Sequence, residues 1–194
     1  MVETQTSHVS IKPDPNYWAG RKVLVTGHTG FKGSWLTVWL NALGAEVYGY
    51  ALPPDTKDSL FYAANVPDIC RSRFGDIRDA GTISSLIHEI HPDTVFHLAA
   101  QPLVQRSYDM PLHTFSTNVM GTANLLEACR GFESIKSVIV VTSDKVYRNT
   151  DGGRAFVESD PLGGGDPYSA SKAATEHVAE AWTPLLARNK TACV

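Results

Sequence analysis

The chain has 194 residues, 43% hydrophobic and 19% charged, with 17 Lys and Arg against 20 Asp and Glu, a formal net charge of -3. That length and apolar content support one sizeable core, and the small negative balance offers no basic field for nucleic acid or an anionic membrane surface. No apolar run approaches the ~18 residues of a membrane-spanning helix, and Cys70, Cys129 and Cys193 show no close pairing, which argues against a disulfide framework or CxxC metal site and for a reducing cytoplasm.

The first sixteen residues are polar, contain Pro13 and Pro15, and lack the basic start and apolar centre of a secretory signal. Residues 1–16 are expected to form a loose leader and residues 17–194 one domain. From Arg21 onward, short apolar β-branched runs alternate with helical periods. Residues 23–26, 47–50, 94–98 and 137–141 read as buried parallel strands. Ile83, Leu86, Ile87 and Ile90 recur at helical spacing behind Asp79, a suitable N-cap, and Pro92 closes that helix. Asp109 and Pro111 are expected to open another helix, with Phe115, Val119, Leu126 and Cys129 on one face and Gly131 near its end. Residues 151–166 hold Gly152, Gly153, Pro161, Gly163, Gly164 and Gly165 and read as a loop over the carboxyl end of the sheet. Residues 191–194 look like a further strand that stops early. The alternation predicts an α/β fold built on a doubly wound parallel sheet with right-handed crossovers.

Between the first strand and its helix runs Thr26-Gly27-His28-Thr29-Gly30-Phe31-Lys32-Gly33, and Leu36, Leu40 and Leu43 mark the helix's inner face. Strand, glycine turn and amphipathic helix in this order are the context of dinucleotide binding in a Rossmann fold. Gly27 suits the tight turn, Gly30 the approach of backbone to a pyrophosphate, and Gly33 close packing of helix on strand. The helix N-terminus adds free N–H groups and partial positive charge. A carboxylate for the adenosine ribose is absent from the end of the second strand, which reads Tyr48-Gly49-Tyr50-Ala51-Leu52, and Asp55 or Asp58 are the nearest substitutes. No arginine near that strand end provides for a 2′-phosphate, so NAD is favoured over NADP.

Tyr168 and Lys172 share one helix face if a helix opens near Pro167. An ammonium beside a phenol favours the phenolate, so Tyr168 reads as the acceptor of a substrate hydroxyl proton and Lys172 as its partner and a holder of the nicotinamide ribose. Ser143-Asp144-Lys145 closes the fourth apolar run. An acid beside a second lysine implies proton chemistry beyond plain dehydrogenation. His88 and His91 read as exposed polar residues on a helix end, and no metal site is expected. His97 reads as a packed, hydrogen-bonded histidine, and Trp18, Trp35, Trp39 and Trp182 as core or subunit packing.

The glycine turn, Gly75-Asp76-Ile77-Arg78-Asp79, His97-Leu98-Ala99-Ala100-Gln101, Asn118-Val119-Met120-Gly121-Thr122 and Tyr168-x-x-x-Lys172 resemble the extended short-chain dehydrogenase/reductases. More narrowly, residues 27–36, Ala100-Gln101-Pro102-Leu103-Val104 and Thr142-Ser143-Asp144-Lys145 resemble the family of CDP-glucose 4,6-dehydratases, over about residues 17–194. The resemblance implies an NAD-dependent hydro-lyase that converts CDP-glucose to CDP-4-keto-6-deoxyglucose and water for deoxysugar and surface-glycan synthesis. It also implies cofactor contacts from Gly27, His28, Thr29, Gly30, Phe31, Lys32, Gly33, Asp76, Ile77, Leu98, Ala99, Ala100, Gln101, Asn118, Tyr168 and Lys172, with Asp76 and Ile77 at the adenine. Ser143 corresponds to a hydroxyl that bonds the sugar near its C4 oxygen, Asp144 to the acid for the C6 oxygen, and Lys145 to the C5 base or enolate stabiliser. Related dTDP-glucose and GDP-mannose dehydratases carry glutamate where Lys145 stands. A homodimer through helices 109–130 and 169–188 is implied, and most of the family's C-terminal substrate region is missing. A nucleotide-sugar epimerase would use the same Tyr168 and Lys172 without an acid for C6, and a third reading is a non-catalytic NAD-binding fragment.

Overall fold

The computed structural model describes residues 13–149, 152–188 and 190–193. In chain order these form α1 (Pro15–Trp18), β1 (Lys22–Thr26), α2 (Phe31–Ala42), β2 (Glu46–Ala51), α3 (Leu60–Ala63), α4 (Val66–Ile69) and β3 (Arg71–Phe74). The chain continues through α5 (Ala80–Ile90), β4 (Thr94–His97), α6 (Val104–Asp109), α7 (Pro111–Phe115), a π-helical turn (Ser116–Met120) and α8 (Gly121–Cys129). It ends with β5 (Ser137–Val140), a 3-10 turn (Asp144–Val146), α9 (Pro167–Ala187) and β6 (Ala192–Cys193). The strands form one sheet in the order β3-β2-β1-β4-β5-β6, every pair parallel.

Strand alternation divides the core between the two faces of this sheet. Leu24, Tyr50, Val95 and Val138 pack with Ile83, Ile87, Leu125, Leu126 and Leu186 from α5, α8 and α9. Val23, Val25 and Val47 point the other way and pack with Leu40, Phe61 and Val66 from α2, α3 and α4. Burial on both faces explains why these strands read as continuous apolar runs. The doubly wound parallel architecture predicted from the sequence is therefore present, and the strand order reverses between β1 and β4.

Local expectations fare unevenly. Asp79 caps α5 by accepting from the Thr82 N–H at 3.0 Å, and Asp166 caps α9 by accepting from the Ser169 N–H at 2.9 Å, with Pro167 in the first turn. β3 escaped the pattern because all four residues of Arg-Ser-Arg-Phe are exposed. It is an edge strand, and edge strands commonly carry charge. The leader's described end differs too, since Pro15 and Asn16 begin α1 under an Asp14 cap; residues 1–12 lie outside the described residues. The loop at residues 152–166 is tied down by a Tyr147–Leu162 bridge and by Gly163 N–H donating to Val146 O at 2.8 Å.

The helix expected from Asp109 is present from Pro111 to Cys129, but it starts two residues later and carries a π turn within it. Asp109 ends α6, Pro111 opens α7, and a π turn separates α7 from α8. The extra residue of that turn moves the inner face. Thr114, Asn118, Gly121 and Thr122 turn inward, Val119 is half-buried and Phe115 is exposed, while Leu126 and Cys129 are buried as expected. Polar residues occupy the first half of this face, so an apolar period could not locate it. Gly121 completes the turn against Ile77, where an added Cβ would lie 2.6 Å from the Ile77 Cγ2. Gly121→Ala is expected to lower unfolding stability by about 1–3 kcal/mol through overpacking, read as a lower urea midpoint with an unchanged denaturant slope.

Candidate active site

The crevice lies at the carboxyl ends of β1 and β4, where the strand order reverses, the position at which open α/β sheets bind ligands. At the end of β1, Gly27 adopts φ +76°, and a Cβ there would come within 2.7 Å of the Ala99 N and the Leu98 carbonyl carbon. Gly33 is held as tightly, since its Cβ would meet Gly27 O at 2.1 Å. These two glycines let the turn fold between α2 and the exit of β4. Gly30 precedes the first turn of α2 without a side-chain cap, and its Cβ direction is nearly open. The N–H groups of Phe31, Lys32 and Gly33 thus stand in a first turn without the usual capping oxygen. The cradle fits a dinucleotide pyrophosphate in both shape and charge.

Side chains in the turn divide into two groups. Phe31 is 71% exposed and Lys32 is exposed, while Thr29 donates to Leu52 O at 3.0 Å and ties the turn to the end of β2. His28 is wholly buried, bonded to Ser72 Oγ at 3.0 Å and packed against Phe61 and Phe74. Burial holds its imidazole down to about 4, with a backbone contact to Tyr50 opposing. Its ring fills the space over Gly49, where a Cβ would lie 2.3 Å from it. A ligand at the crevice can meet the backbone of His28 only. β3 also brings Arg71 and Arg73 beside β2, which linear distance concealed, but they pair with Glu46 at 3.2 Å and Glu89 at 2.8 Å.

Past β4, His97 joins the two halves of the crevice. Its Nδ1 lies 2.7 Å from Thr26 Oγ1 and its Nε2 lies 2.9 Å from Thr122 Oγ1. Thr122 donates its own proton to Asn118 O, and Thr26 Oγ1 accepts from the Ala99 N–H. The network therefore assigns the proton to Nε2. Burial, reinforced by the Lys172 charge, drives this imidazole down to about 3, so it is a neutral, packed histidine as expected.

Gln101 and Asn118 are buried and fully bonded. Asn118 Oδ1 accepts from the Gln101 N–H at 2.8 Å, and its Nδ2 donates to Gln101 O at 3.2 Å and Ser171 Oγ at 2.8 Å. The Gln101 side chain donates to Leu103 O and Thr114 Oγ1 and accepts from the Leu103 N–H. Both side chains hold the walls of the crevice in place. Asp76 forms a paired contact with Arg78 and accepts from its N–H, and those hydrogen bonds hold its carboxyl below the usual range despite partial burial. Ile77 is buried against Gly121, while Leu98, Ala99 and Ala100 remain half-buried.

Tyr168 and Lys172 lie on the inner face of α9, 8% and 6% exposed. The Tyr168 N–H donates to Ser107 Oγ at 3.1 Å, its carbonyl accepts from Ser171 Oγ at 2.7 Å, and Gly164 packs against Ser169 where any Cβ would collide at 2.2 Å. Lys172 Nζ donates to Val141 O at 3.1 Å. Burial pushes its ammonium down to about 8, the Glu176 carboxylate opposes that shift, and Lys32 adds to it. The 3-10 turn packs against α9. Ser143 caps it, donating to Asp144 Oδ1 at 3.1 Å and accepting from the Lys145 N–H at 3.2 Å, and Asp144 and Lys145 are exposed. Lys145 acts electrostatically on Asp166 at the cap of α9, so the triplet lies near the start of the Tyr168 helix.

Other expectations divide. His88 and His91 are exposed and pack edge-on to Phe132, and the described residues hold no cluster suited to a metal ion. Trp18 packs near Phe96 and Trp182 donates to Glu127 at 3.2 Å, whereas Trp35 and Trp39 are 53% and 54% exposed. Glu176, whose carboxylate accepts from Thr142 Oγ1, was not foreseen; its signal was a carboxylate one turn beyond Lys172 on the same helix.

Fold and crevice define the class: a doubly wound dinucleotide-binding domain of the epimerase and dehydratase type. The chain belongs to the family described as GDP-mannose 4,6 dehydratase, which matches residues 24–186. It is 51% identical over 169 residues to the CDP-glucose 4,6-dehydratase of Salmonella typhimurium, covering 87% of this chain and 47% of that one. Among solved structures, an epimerase from Methanothermobacter thermautotrophicus matches with a TM-score of 0.79 and 28% identity over 93% of this chain and 52% of the other. The UDP-glucose 4-epimerase of Thermus thermophilus, solved with NAD, matches with 0.73 and 32% over 84% and 51%. The chain spans about half the length of the curated relatives it matches. No helix among the described residues is long and apolar enough to cross a membrane.

The buried lysine fixes a dependence on pH. Its proton leaves at about 8 in the folded chain against 10.5 as the unfolded reference, so the unfolded state holds more protons between those values and stability rises with pH across that window. Below it, the folded state carries the whole penalty, about 3 kcal/mol for a shift of this size. Lys172→Met is expected to raise the urea midpoint at neutral pH, with the difference from the parent protein shrinking as pH climbs through the window.

Proposed function

We propose that this chain is the cofactor-binding and catalytic half of an NAD-dependent nucleotide-sugar 4,6-dehydratase, with CDP-glucose as substrate and CDP-4-keto-6-deoxyglucose and water as products. The observation that carries the reading is the packing of the Ser143-Asp144-Lys145 turn against the helix bearing Tyr168 and Lys172, beside the glycine crevice. An epimerase needs the tyrosine and lysine but gives no task to an acid followed by lysine at the strand exit. The 51% identity to the CDP-glucose enzyme supports the choice of nucleotide.

In this reading, the uncapped first turn of α2 receives the pyrophosphate and Lys172 holds the nicotinamide ribose. NAD, when bound, would accept the hydride from C4 and give it back to C6 once water has left, with a proton restored to C5, so that it is regenerated and not consumed. Tyr168 takes the proton of the sugar C4 hydroxyl, and Ser143 bonds the same oxygen. Once C4 is a ketone, the C5 proton is acidic and Lys145 removes it or steadies the resulting enolate. Asp144 delivers a proton to the departing C6 oxygen, so water leaves. The walls are already fixed by Asn118 and Gln101, which supports a preorganised crevice. Exposed Tyr108, Leu112, Phe115 and Met120 on the segment from α6 to the π turn support a homodimer through this face and α9.

Incubation of the protein with NAD and CDP-glucose is expected to yield a 4-keto sugar detected by its absorbance in alkali; a hexose epimer without that absorbance rejects the reading. Asp144→Asn is expected to slow dehydration by about 10²–10⁴-fold while NAD affinity, measured by calorimetry, stays unchanged.

A further inference from the structure

Two consecutive residues leave β5 and both are gripped by α9. Lys172 Nζ donates to Val141 O at 3.1 Å, and Thr142 Oγ1 donates to Glu176 Oε1. Lys172 and Glu176 stand one helical turn apart, on the same side of α9. The next residues are Ser143, Asp144 and Lys145. Val141, Thr142 and Glu176 are half-buried, so these contacts are made where water competes poorly. We propose that Glu176 is a positioning residue for the site: it anchors the strand exit through Thr142 and supplies the carboxylate that keeps the Lys172 ammonium charged in a buried position.

The proposal rests on the dehydratase reading for the role of the triplet, but the Lys172 charge itself does not. Charges that act on Lys172 come from Glu176 on its own helix and Lys32 on α2; His97 of β4 faces it as a neutral ring, Tyr168 lies one turn earlier on α9, and Asp144 and Lys145 occupy the adjacent 3-10 turn. Glu176 is the carboxylate in this group that opposes the burial of Lys172. Hydrogen bonding to Thr142 fixes where that charge sits. Without the hydroxyl, a half-buried carboxylate gains by turning toward water, and the lysine loses its counter-charge.

The test is the titration of Lys172, followed through its side-chain Cε signal by NMR and assigned with Lys172→Met. Glu176→Gln keeps the shape and an acceptor for Thr142 but removes the charge, and is expected to lower the Lys172 pKa by about one unit. Thr142→Val is expected to lower it in the same direction by less, and Glu176→Asp to restore most of the parent value. In turnover of CDP-glucose, Glu176→Gln and Thr142→Val are each expected to reduce kcat about tenfold or more with little change in KM, and the double variant to lose no more than the worse single one. A Lys172 titration unmoved in both single variants overturns the proposal, as do additive losses in kcat. Absence of CDP-glucose turnover in the parent protein, with the titration shifts present, overturns the dehydratase reading and leaves the Glu176 to Lys172 coupling standing.

Discussion

The site depends on one buried amide. Asn118 is 1% exposed, and each polar atom of its side chain is bonded, to both backbone groups of Gln101 and to Ser171. Its carbonyl accepts from Thr122 and Thr175 as well. Three parts of the chain, the exit of β4, the π turn and α9, therefore meet at one residue. A buried amide left half-bonded would lose about 1–3 kcal/mol for each orphaned group, so this network is satisfied together or not at all. The π turn is what rotates Asn118 inward at the end of α7. An unbroken helix through this segment would continue the period of Phe115 and Val119, and the crevice wall would lack its pin.

The opposite wall is set by exclusion of volume. Gly27 and Gly33 leave no room for a Cβ between the turn, α2 and the exit of β4, while His28 plugs the space over Gly49. Both walls are rigid for different reasons, one through directional bonds and the other through contact. Lys172 sits between them at a real energetic disadvantage, buried and within reach of a second cation, Lys32. A buried ammonium that costs folding stability fits the catalytic role proposed for Lys172, the usual trade at an active site.

Much of this was legible in the sequence because it rests on short-range signals. The apolar runs gave β1, β2, β4 and β5, the cap at Asp79 and the prolines gave helix starts, and the glycine spacing gave the turn. β3 was hidden because an edge strand of Arg71, Ser72, Arg73 and Phe74 carries no burial pattern. The π turn was hidden because its inner face is polar, and the anchoring of Thr142 by Glu176 because it spans 34 positions. His28 shows the limit of motif spacing: its place in the glycine turn pointed to the ligand, whereas the fold turned its side chain toward Ser72. Membership in a motif fixes the backbone path; the direction of each side chain is decided by what packs beside it.

The two halves of the candidate chemistry differ in how they are held. Tyr168 and Lys172 are enclosed by α6, the π turn and the loop that contains Gly164, so their positions follow from buried contacts. Asp144 and Lys145 are exposed on a single 3-10 turn held internally by Ser143 and by the Tyr147 N–H, which donates to Asp144 O. Exposed side chains on a short turn have little to fix them, yet in the proposed reaction acid and base must reach adjacent carbons of one sugar. The grip of α9 on Val141 and Thr142 resolves this difference: the exposed turn inherits its position from the buried helix, and any shift of the strand exit along α9 would break two charge-assisted bonds at once. The groups of the proposed redox and proton-transfer steps can then keep a fixed separation although only one set is buried.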